Sequence, residues 1–374
     1  MNLSKKTKIC IIGLGYVGLP LAISFQKYFE VIGYDINQER IDNLKKNIDT
    51  TDEVNKNELS KAKSIKFTAN KNDISFVDIF IVTVPTPIFK NKNPDLRLLK
   101  KSCITVAEKI KNNNIVIFES TVYPGVTEEV CATIIEKKSG LIFNKDFFCG
   151  YSPERIDPGQ SKHKLENIIK ITSGSNNFSS KIVDQLYKKI IKAGTYQAQS
   201  IRIAEAAKVI ENTQRDLNIS LINELSILFN KLNINTNHVL DAASTKWNFI
   251  NFRPGLVGGH CIGVDPYYLT YKSEKIGYSP KVILAGRKMN DEMSLYVSEQ
   301  AQSSLKKKYK NIKNKKILIL GFAFKEDCKD VRNTKVYDLI KHLTNKNLKI
   351  DVFDPLVESR DVEKYYKIKL LRSL

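Results

Sequence analysis

Short apolar runs alternate with helical patterns along the first 150 residues of the chain. Lys8 to Ile12 reads as a buried strand, Gly13-Leu14-Gly15-Tyr16-Val17-Gly18 follows, and a helical stretch runs from Leu19 to about Tyr28. Val31 to Tyr34 reads as a second strand and ends on Asp35. The run Ile79–Val84, apolar but for Thr83, and the wholly apolar Ile115–Phe118 have the pattern of strands covered on both faces. They lead into Pro85-Thr86-Pro87 and Glu119-Ser120-Thr121, and a strand over Phe147–Gly150 leads into Tyr151-Ser152-Pro153-Glu154-Arg155. From about Ile201 to Leu232 the periodicity is helical for roughly eight turns. Alternation then returns. A strand from Lys315 to Leu320 is followed by Gly321, a helix from Lys335 to Leu343, and a strand from Lys349 to Phe353 that ends on Asp354. This second unit mirrors the opening of the chain.

The opening carries chemistry. A glycine motif after a strand and before a helix, with an acid at the end of the next strand, predicts a Rossmann dinucleotide site. Gly13 permits the tight turn, Gly15 lets backbone approach a pyrophosphate, and Gly18 lets the helix pack close to the strand. The helix N-terminus offers unpaired N–H groups to phosphate oxygens. Asp35 can accept hydrogen bonds from ribose hydroxyls and would repel a 2′-phosphate, so NAD is expected over NADP. In such sheets ligands bind beyond the carboxyl ends of the strands. Thr86, Thr121 and Glu154 all follow strand ends.

Composition changes little. With 374 residues, 42% of them hydrophobic, the chain suits two or three globular domains. No apolar run is long enough to span a membrane and the N-terminus lacks a signal-peptide core, so a cytoplasmic protein is expected. The net charge of +20 raises nucleic acid as a partner. The lysines are dispersed and no nucleic-acid module accompanies them, so the positive field is read as favouring anionic substrates such as nucleotide sugars. Six cysteines, at 10, 103, 131, 149, 261 and 328, form no CxxC pair and no cluster with histidine, so neither a metal nor a disulfide framework is expected.

One cysteine stands apart. Phe252-Arg253-Pro254-Gly255-Leu256-Val257-Gly258-Gly259-His260-Cys261-Ile262-Gly263-Val264-Asp265-Pro266 embeds Cys261 among glycines, which suggests close backbone approach to a ligand and a presented thiol. Asp265 lies four residues on and reaches the same site if a helical turn follows. On the long helix Lys208 and Asn212 share a face, with Glu205 a turn earlier. By themselves these three read as a solvated stripe.

These motifs, in this order, resemble the UDP-glucose/GDP-mannose dehydrogenase family over essentially the whole chain. The resemblance rests on the glycine motif with Asp35, the Glu119-Ser-Thr-Val block and Ser152-Pro-Glu154-Arg155. It continues through Ala204-Glu-Ala-Ala-Lys208-Val-Ile-Glu-Asn212, the Gly-Gly-His-Cys261 loop, and Gly321-Phe-Ala-Phe-Lys325 to Arg332. It implies an NAD-binding Rossmann domain over 1–198, a central helical, dimerising and catalytic-loop domain over 199–300, and a partial Rossmann-like domain for the UDP-sugar over 301–374. It further implies a homodimer built around the Lys208 helix.

The family mechanism fits the residues. A C6 alcohol is oxidised to an aldehyde, Cys261 forms a thiohemiacetal, a second oxidation gives a thioester, and water releases the uronate. In this scheme Lys208 stabilises the oxyanion, Asn212 positions the same oxygen or a water, Asp265 orients water and Lys208, and Glu154 is the hydrolytic base. Thr121 borders the nicotinamide. The cofactor is held by Gly13, Gly15, Tyr16, Val17, Gly18, Asp35, Arg40, Thr86 and Arg332. The sugar nucleotide is held by Arg155, Phe252, Arg253, Gly255, Gly258 and Lys325, together with Glu154, Lys208 and Asn212.

The Cys261 loop with Ser-Pro-Glu-Arg resembles the branch acting on UDP-N-acetylhexosamines and implies a place in capsule or O-antigen synthesis. The UDP-glucose branch typically has Asn-Pro-Glu-Phe, and Pro-Lys-Asp after its cysteine. UDP-glucose or GDP-mannose as substrate, and a shortened, inactive cofactor-binding protein, are the alternatives. Family members usually continue several dozen residues past this endpoint, so a truncated UDP-binding domain is expected, with weakened nucleotide-sugar binding.

Overall fold

The computed structural model describes residues 2–155 and 165–373. The chain divides into two compact units, Met1–Val209 and Ile210–Leu374. The first is built on strands β1 (Lys8–Ile12), β2 (Glu30–Tyr34), β3 (Ile65–Thr68), β4 (Ile79–Val82), β5 (Ile115–Phe118), β6 (Phe148–Tyr151), β7 (Lys170–Gly174) and β8 (Thr195–Gln197). Its helices are α1 (Gly18–Phe25), α2 (Gln38–Lys45), α3 (Lys56–Ser60), α4 (Arg97–Ala107), α5 (Thr133–Ser139) and α6 (Asn177–Lys188). Helix α7 (Ile201–Lys231) contains the boundary between the units. The second unit continues with α8 (Thr236–Ala243), α9 (Asp265–Lys275), α10 (Lys281–Lys308), β9 (Lys316–Leu320), α11 (Val336–Thr344), β10 (Lys349–Phe353) and α12 (Ser359–Tyr366).

The sheet of the first unit has the order β3-β2-β1-β4-β5-β6-β7-β8. The pairings are parallel except β6 with β7. Strands β4 and β5 are buried at every residue, which is why they read as unbroken apolar runs. The order reverses between β1 and β4, and a crevice opens at such a switch point beyond the carboxyl ends. The glycine loop after β1 and the Thr83–Thr86 segment after β4 both lie there.

The expected mirror of the opening holds in detail. β1 pairs with β2 from Lys8↔Glu30 to Ile12↔Tyr34, and β9 pairs with β10 from Lys316↔Lys349 to Leu320↔Phe353. Gly13 has φ +94° and Gly321 has φ +92°. In each unit an acid at the end of the second strand accepts the N–H of the residue after that glycine. Leu14 donates to Asp35 at 2.8 Å and Phe322 donates to Asp354 at 2.7 Å. Phe322, Val331, Ile340, Val352, Val357 and Val362 form the core around β9 and β10. Among the described residues no helix is long and apolar enough to cross a membrane.

Helix α7 departs from the sequence reading. Glu205, Lys208 and Asn212 are buried, not a solvated stripe, and the buried polar face continues through Asp216 and Asn223. Its apolar residues Ile203, Ile210, Leu221 and Leu228 are each about half exposed. At 100° per residue these four lie within about 20° of one another around the helix. The helix thus buries one polar stripe, beside Ala204, Val209 and Ile222, and leaves one apolar stripe half open.

Burying a carboxylate requires partners. Glu205 accepts the N–H of Gly125 at 2.6 Å and of Thr127 at 2.9 Å, the first amides of the helical segment Val126–Ala132. Burial still dominates and pushes its pKa from 4.5 up to about 7. The folded protein therefore retains this proton to higher pH than the unfolded chain does. Stability from this group is full below pH 4.5 and is lost as pH rises towards 7. Between pH 5 and pH 8, denaturant unfolding of the wild type should lose about 2 to 3 kcal/mol more than that of Glu205→Gln. Parallel pH dependences for the two proteins would refute this.

Candidate active site

In the first unit the glycine loop is held from several sides. Gly13 donates its N–H to the carbonyl of Tyr34 at 2.8 Å, and the Thr83 hydroxyl donates to the carbonyl of Gly13 at 2.7 Å. Asp35 accepts from Leu14 through one oxygen and from Asn37 at 2.9 Å through the other. A Cβ on Gly18 would lie 1.8 Å from the carbonyl oxygen of Gly13, so the chain itself demands glycine there. Gly15 differs, since a Cβ would meet nothing within 4 Å. The protein has room for a side chain at Gly15, and a ligand approaching the backbone explains its absence. The loop thus fits a dinucleotide. Tyr16 and Val17 are partly buried, and Val17 packs against the core.

Arg40 is where the structure corrects the sequence reading. It is buried, and its guanidinium donates to the carbonyl of Leu14 at 2.9 Å and to Thr50, and pairs with Asp49 at 2.7 Å. It braces the glycine loop from within the fold and does not present an open guanidinium to a cofactor.

The strand ends are cross-tied. Ser120 donates to the carbonyl of Val84 at 2.6 Å, and Thr86 donates to the carbonyl of Thr121 at 2.6 Å. With the Thr83 bond, these join the turns after β1, β4 and β5. The segment after β6 places Glu154 next to Arg155, whose N–H donates to the Glu154 carboxylate and whose guanidinium donates to the carbonyl of Ile169 at 2.8 Å.

In the second unit Cys261 is exposed on the turn that enters α9. Its carbonyl accepts from Val264 at 3.0 Å and Asp265 at 2.8 Å, the helical turn that the spacing required. Asp265 in turn accepts from Asn212 at 2.5 Å, both side chains being buried. Cys10, Cys103, Cys131 and Cys149 are buried, and burial raises the thiols of Cys10, Cys131 and Cys149. Lys208 is buried one helical turn before Asn212, and among the described residues no acceptor or carboxylate is paired with it.

The glycines of the cysteine loop divide in the same way as those of the first. A Cβ on Gly258 would lie 2.7 Å from the carbonyl oxygen of Asn333, and one on Gly259 would lie 2.7 Å from the ring of Phe324. Asn333 also donates to the carbonyl of Gly259 at 2.8 Å. Close approach to a ligand is therefore not what requires glycine at 258. The segment Phe324–Asn333 packs there, and it carries Lys325 and Arg332. Arg332 forms a two-point pair with Asp330. At Gly255 a Cβ would meet nothing within 4 Å, while its backbone exchanges hydrogen bonds with the Asn223 amide at 2.9 and 3.0 Å. Arg253 pairs with Asp241 at 2.6 Å, and its neighbour Phe252 is partly buried. Burial, and then the charge of Arg332, lower the pKa of His260.

Sequence reading missed the network behind this loop. Arg287 donates to Asp216 at 2.5 Å and to Asp291 at 2.7 Å, Asn290 donates to Asp216, and Asn223 donates to Asn290. The hydroxyl of Tyr267 and the ammonium of Lys335 also reach Asp291. The signal was present, because Asp216 and Asn223 extend the helical spacing of Glu205, Lys208 and Asn212.

Three family models match in series. They are the NAD binding domain of the UDP-glucose/GDP-mannose dehydrogenase family over 7–191, its central domain over 202–292, and its UDP binding domain over 318–374. This chain belongs to that family. It is 55% identical to the UDP-N-acetyl-D-glucosamine 6-dehydrogenase of Salmonella typhi over 97% of its own length and 85% of the relative's. It is 50% identical to Protein CapL of Staphylococcus aureus with the same coverage. The UDP-D-ManNAc dehydrogenase structure from Pyrococcus horikoshii superposes with a TM-score of 0.88 at 30% identity, over 94% of this chain and 84% of that one. The protein is an NAD-dependent nucleotide-sugar dehydrogenase, and the loop at Gly13–Gly18 lies in its NAD-binding domain.

The two glycines of the dehydrogenase loop should separate in experiment. Gly15→Ala should weaken NAD binding at least about tenfold in titration calorimetry while leaving the unfolding midpoint unchanged. Gly18→Ala should cost at least about 2 kcal/mol of stability from overpacking. Equal effects of both substitutions on both measurements would contradict the assignment.

Proposed function

We propose that this dehydrogenase oxidises the C6 alcohol of UDP-N-acetylglucosamine to the carboxylate in two steps, through a covalent intermediate on Cys261. The observation that carries the reading is the exposed thiol of Cys261 on the turn into α9, one turn from an Asp265 bonded to Asn212. The choice of sugar is supported by two relatives named UDP-N-acetyl-D-glucosamine 6-dehydrogenase, at 55% and 54% identity.

The alcohol first becomes an aldehyde. The Cys261 thiolate adds to the aldehyde carbon, forming a C–S bond and a thiohemiacetal. A second oxidation converts this to a thioester. NAD, when bound, supplies the hydride acceptor for both oxidations. Water then adds to the thioester carbonyl, Glu154 takes a proton from it, the C–S bond breaks, and sulfur leaves as thiolate. Lys208 stabilises the negative oxygen in these steps, which suits a buried ammonium with no acceptor paired to it among the described residues. Asn212, oriented by Asp265, holds the same oxygen or the attacking water. Gly13, Gly15, Tyr16, Val17, Gly18, Asp35, Thr86, Thr121 and Arg332 are assigned to NAD. Arg155, Phe252, Arg253, Gly255 and Lys325 are assigned to the sugar nucleotide. The product, an activated uronate, suits the synthesis of a surface polysaccharide by a cytoplasmic enzyme.

The exposed apolar stripe of α7 supports a homodimer, because a row of half-exposed aliphatic side chains on one helix face favours burial against a second copy. In sedimentation at micromolar concentration the wild type should run as a dimer, and Leu221→Lys/Leu228→Lys as a monomer. A monomeric wild type would refute the assembly.

Cys261→Ser should lower turnover of UDP-N-acetylglucosamine to its uronate at least about a thousandfold. Cys328→Ser, partly exposed but outside the loop, should leave turnover intact. NADH formation across a panel of UDP-N-acetylglucosamine, UDP-glucose and GDP-mannose tests the substrate. Full turnover by the Cys261→Ser protein would overturn the mechanism.

A further inference from the structure

Behind the Glu154 segment lies a buried charged cluster that the mechanism does not use. Lys170 on β7 donates to Glu119, at the end of β5, at 2.6 Å. The same ammonium donates to the carbonyls of Pro153 at 2.9 Å and Ser152 at 3.4 Å. The hydroxyl of Tyr187 on α6 donates to the other oxygen of Glu119, and the Lys170 ammonium also lies 5.2 Å from the centre of the Tyr187 ring. Lys170 and Glu119 are both buried. Lys170 and Glu154 line one small cleft, with Arg155, Leu165, Ile168 and Ile169.

A buried ion pair is a weak stabiliser, since an apolar pair of the same volume serves about as well. What this one adds is direction. The three donors of Lys170 reach a carboxylate and the carbonyls of the two residues preceding Glu154. The Ser152 side chain is fixed as well, donating to the carbonyl of Ile171 at 2.7 Å. The turn after β6 is thus tied to β5, β7 and α6 at once. Among the described residues, the charged and titratable groups around Glu154 are Glu119 after β5, Lys170 from β7, Tyr187 from α6 and its own neighbour Arg155. Burial pushes the Glu119 carboxyl up and the Lys170 charge partly offsets this.

We propose that Lys170, Glu119 and Tyr187 are positioning residues for Glu154, holding the Ser152–Pro153 turn so that its carboxylate meets the water that hydrolyses the thioester. The proposal rests on the reading of Glu154 as hydrolytic base. In that step the water oxygen bonds to the carbonyl carbon, the bond to Cys261 sulfur breaks, and Glu154 takes one water proton. Losing the cluster leaves both oxidations intact and slows release.

The test compares four full-length proteins with UDP-N-acetylglucosamine and NAD. It reads the rapid first phase of NADH formation, the steady-state rate, and the intact mass of the protein during turnover. Glu154→Gln is the control for the base and should accumulate the covalent adduct. Lys170→Met/Glu119→Gln removes both charges together and leaves no orphaned carboxylate. Its first phase should be unchanged and its steady state slower by about tenfold or more, with adduct accumulating. Tyr187→Phe removes one hydroxyl and should accumulate adduct to a smaller extent. If Glu154→Gln turns over like the wild type, the base reading fails and this proposal fails with it. If Glu154→Gln accumulates adduct and the double variant releases product at the wild-type rate, the positioning proposal alone is overturned. Should the double variant not fold, Tyr187→Phe decides, and the absence of adduct in it overturns the proposal.

Discussion

The buried polar face of α7 is the constraint on which most of the site depends. A polar side chain taken out of water must be met by a partner or it destabilises the fold. Glu205, Asn212, Asp216 and Asn223 are each met by a group from another segment. Glu205 accepts the amides at Gly125 and Thr127, in the segment that follows Thr121. Asn212 bonds Asp265, one helical turn from Cys261. Asp216 receives Arg287 and Asn290, and Asn223 grips both faces of the Gly255 peptide. Within the first unit the helix thereby holds the Gly125–Thr127 turn, and within the second the turn into α9 and the Gly255 backbone. Among the described residues Lys208 is the one of these five with no acceptor or carboxylate paired to it.

The two glycine-rich loops illustrate how one residue type answers two demands. Where a Cβ would strike the chain's own backbone, as at Gly18 and Gly258, glycine is a packing requirement. Where a Cβ would stand in open space, as at Gly15 and Gly255, packing within the chain does not require glycine. The same loops share a device with the C-terminal strands, since Asp35 and Asp354 each hold the peptide that follows a left-handed glycine. Four backbone amides occupy Asp354, from Phe322, Ala323, Leu356 and Val357, whereas the bonds to Asp35 come from Leu14 and Asn37. The acid in the NAD-binding domain thus accepts fewer backbone amides than its counterpart in the second unit.

The fold class and the first βαβ unit were legible because they depend on local rules. Strand β1 ends where its apolar run does, because a parallel strand covered on both faces is apolar along its buried residues. Helix α7 was legible in extent from its period, from Ile201 to within a residue of its end. Cys261 was legible because a thiol among glycines has no packing explanation, and the i to i+4 bond to Asp265 followed from the spacing.

What only the tertiary structure decided is which face of each element is inside. Periodicity gives the stripes of α7 but not their orientation, and the stripe of Glu205, Lys208, Asn212, Asp216 and Asn223 turns inward although its residues are polar. Only the family resemblance assigns Arg40 to the cofactor, and its bonds to Asp49 and Thr50, from later in the chain, make it a brace of the glycine loop. Glu119, Lys170 and Tyr187 are more than fifteen residues apart in sequence and meet only because β5, β7 and α6 pack together. The sequence by itself determined strands β1, β2, β4, β5, β6, β9 and β10 and the glycine turns, because each is set by neighbours within a few residues. The partners of buried charges come from distant segments, and their pairing follows from the folded chain's need to satisfy every polar group it removes from water.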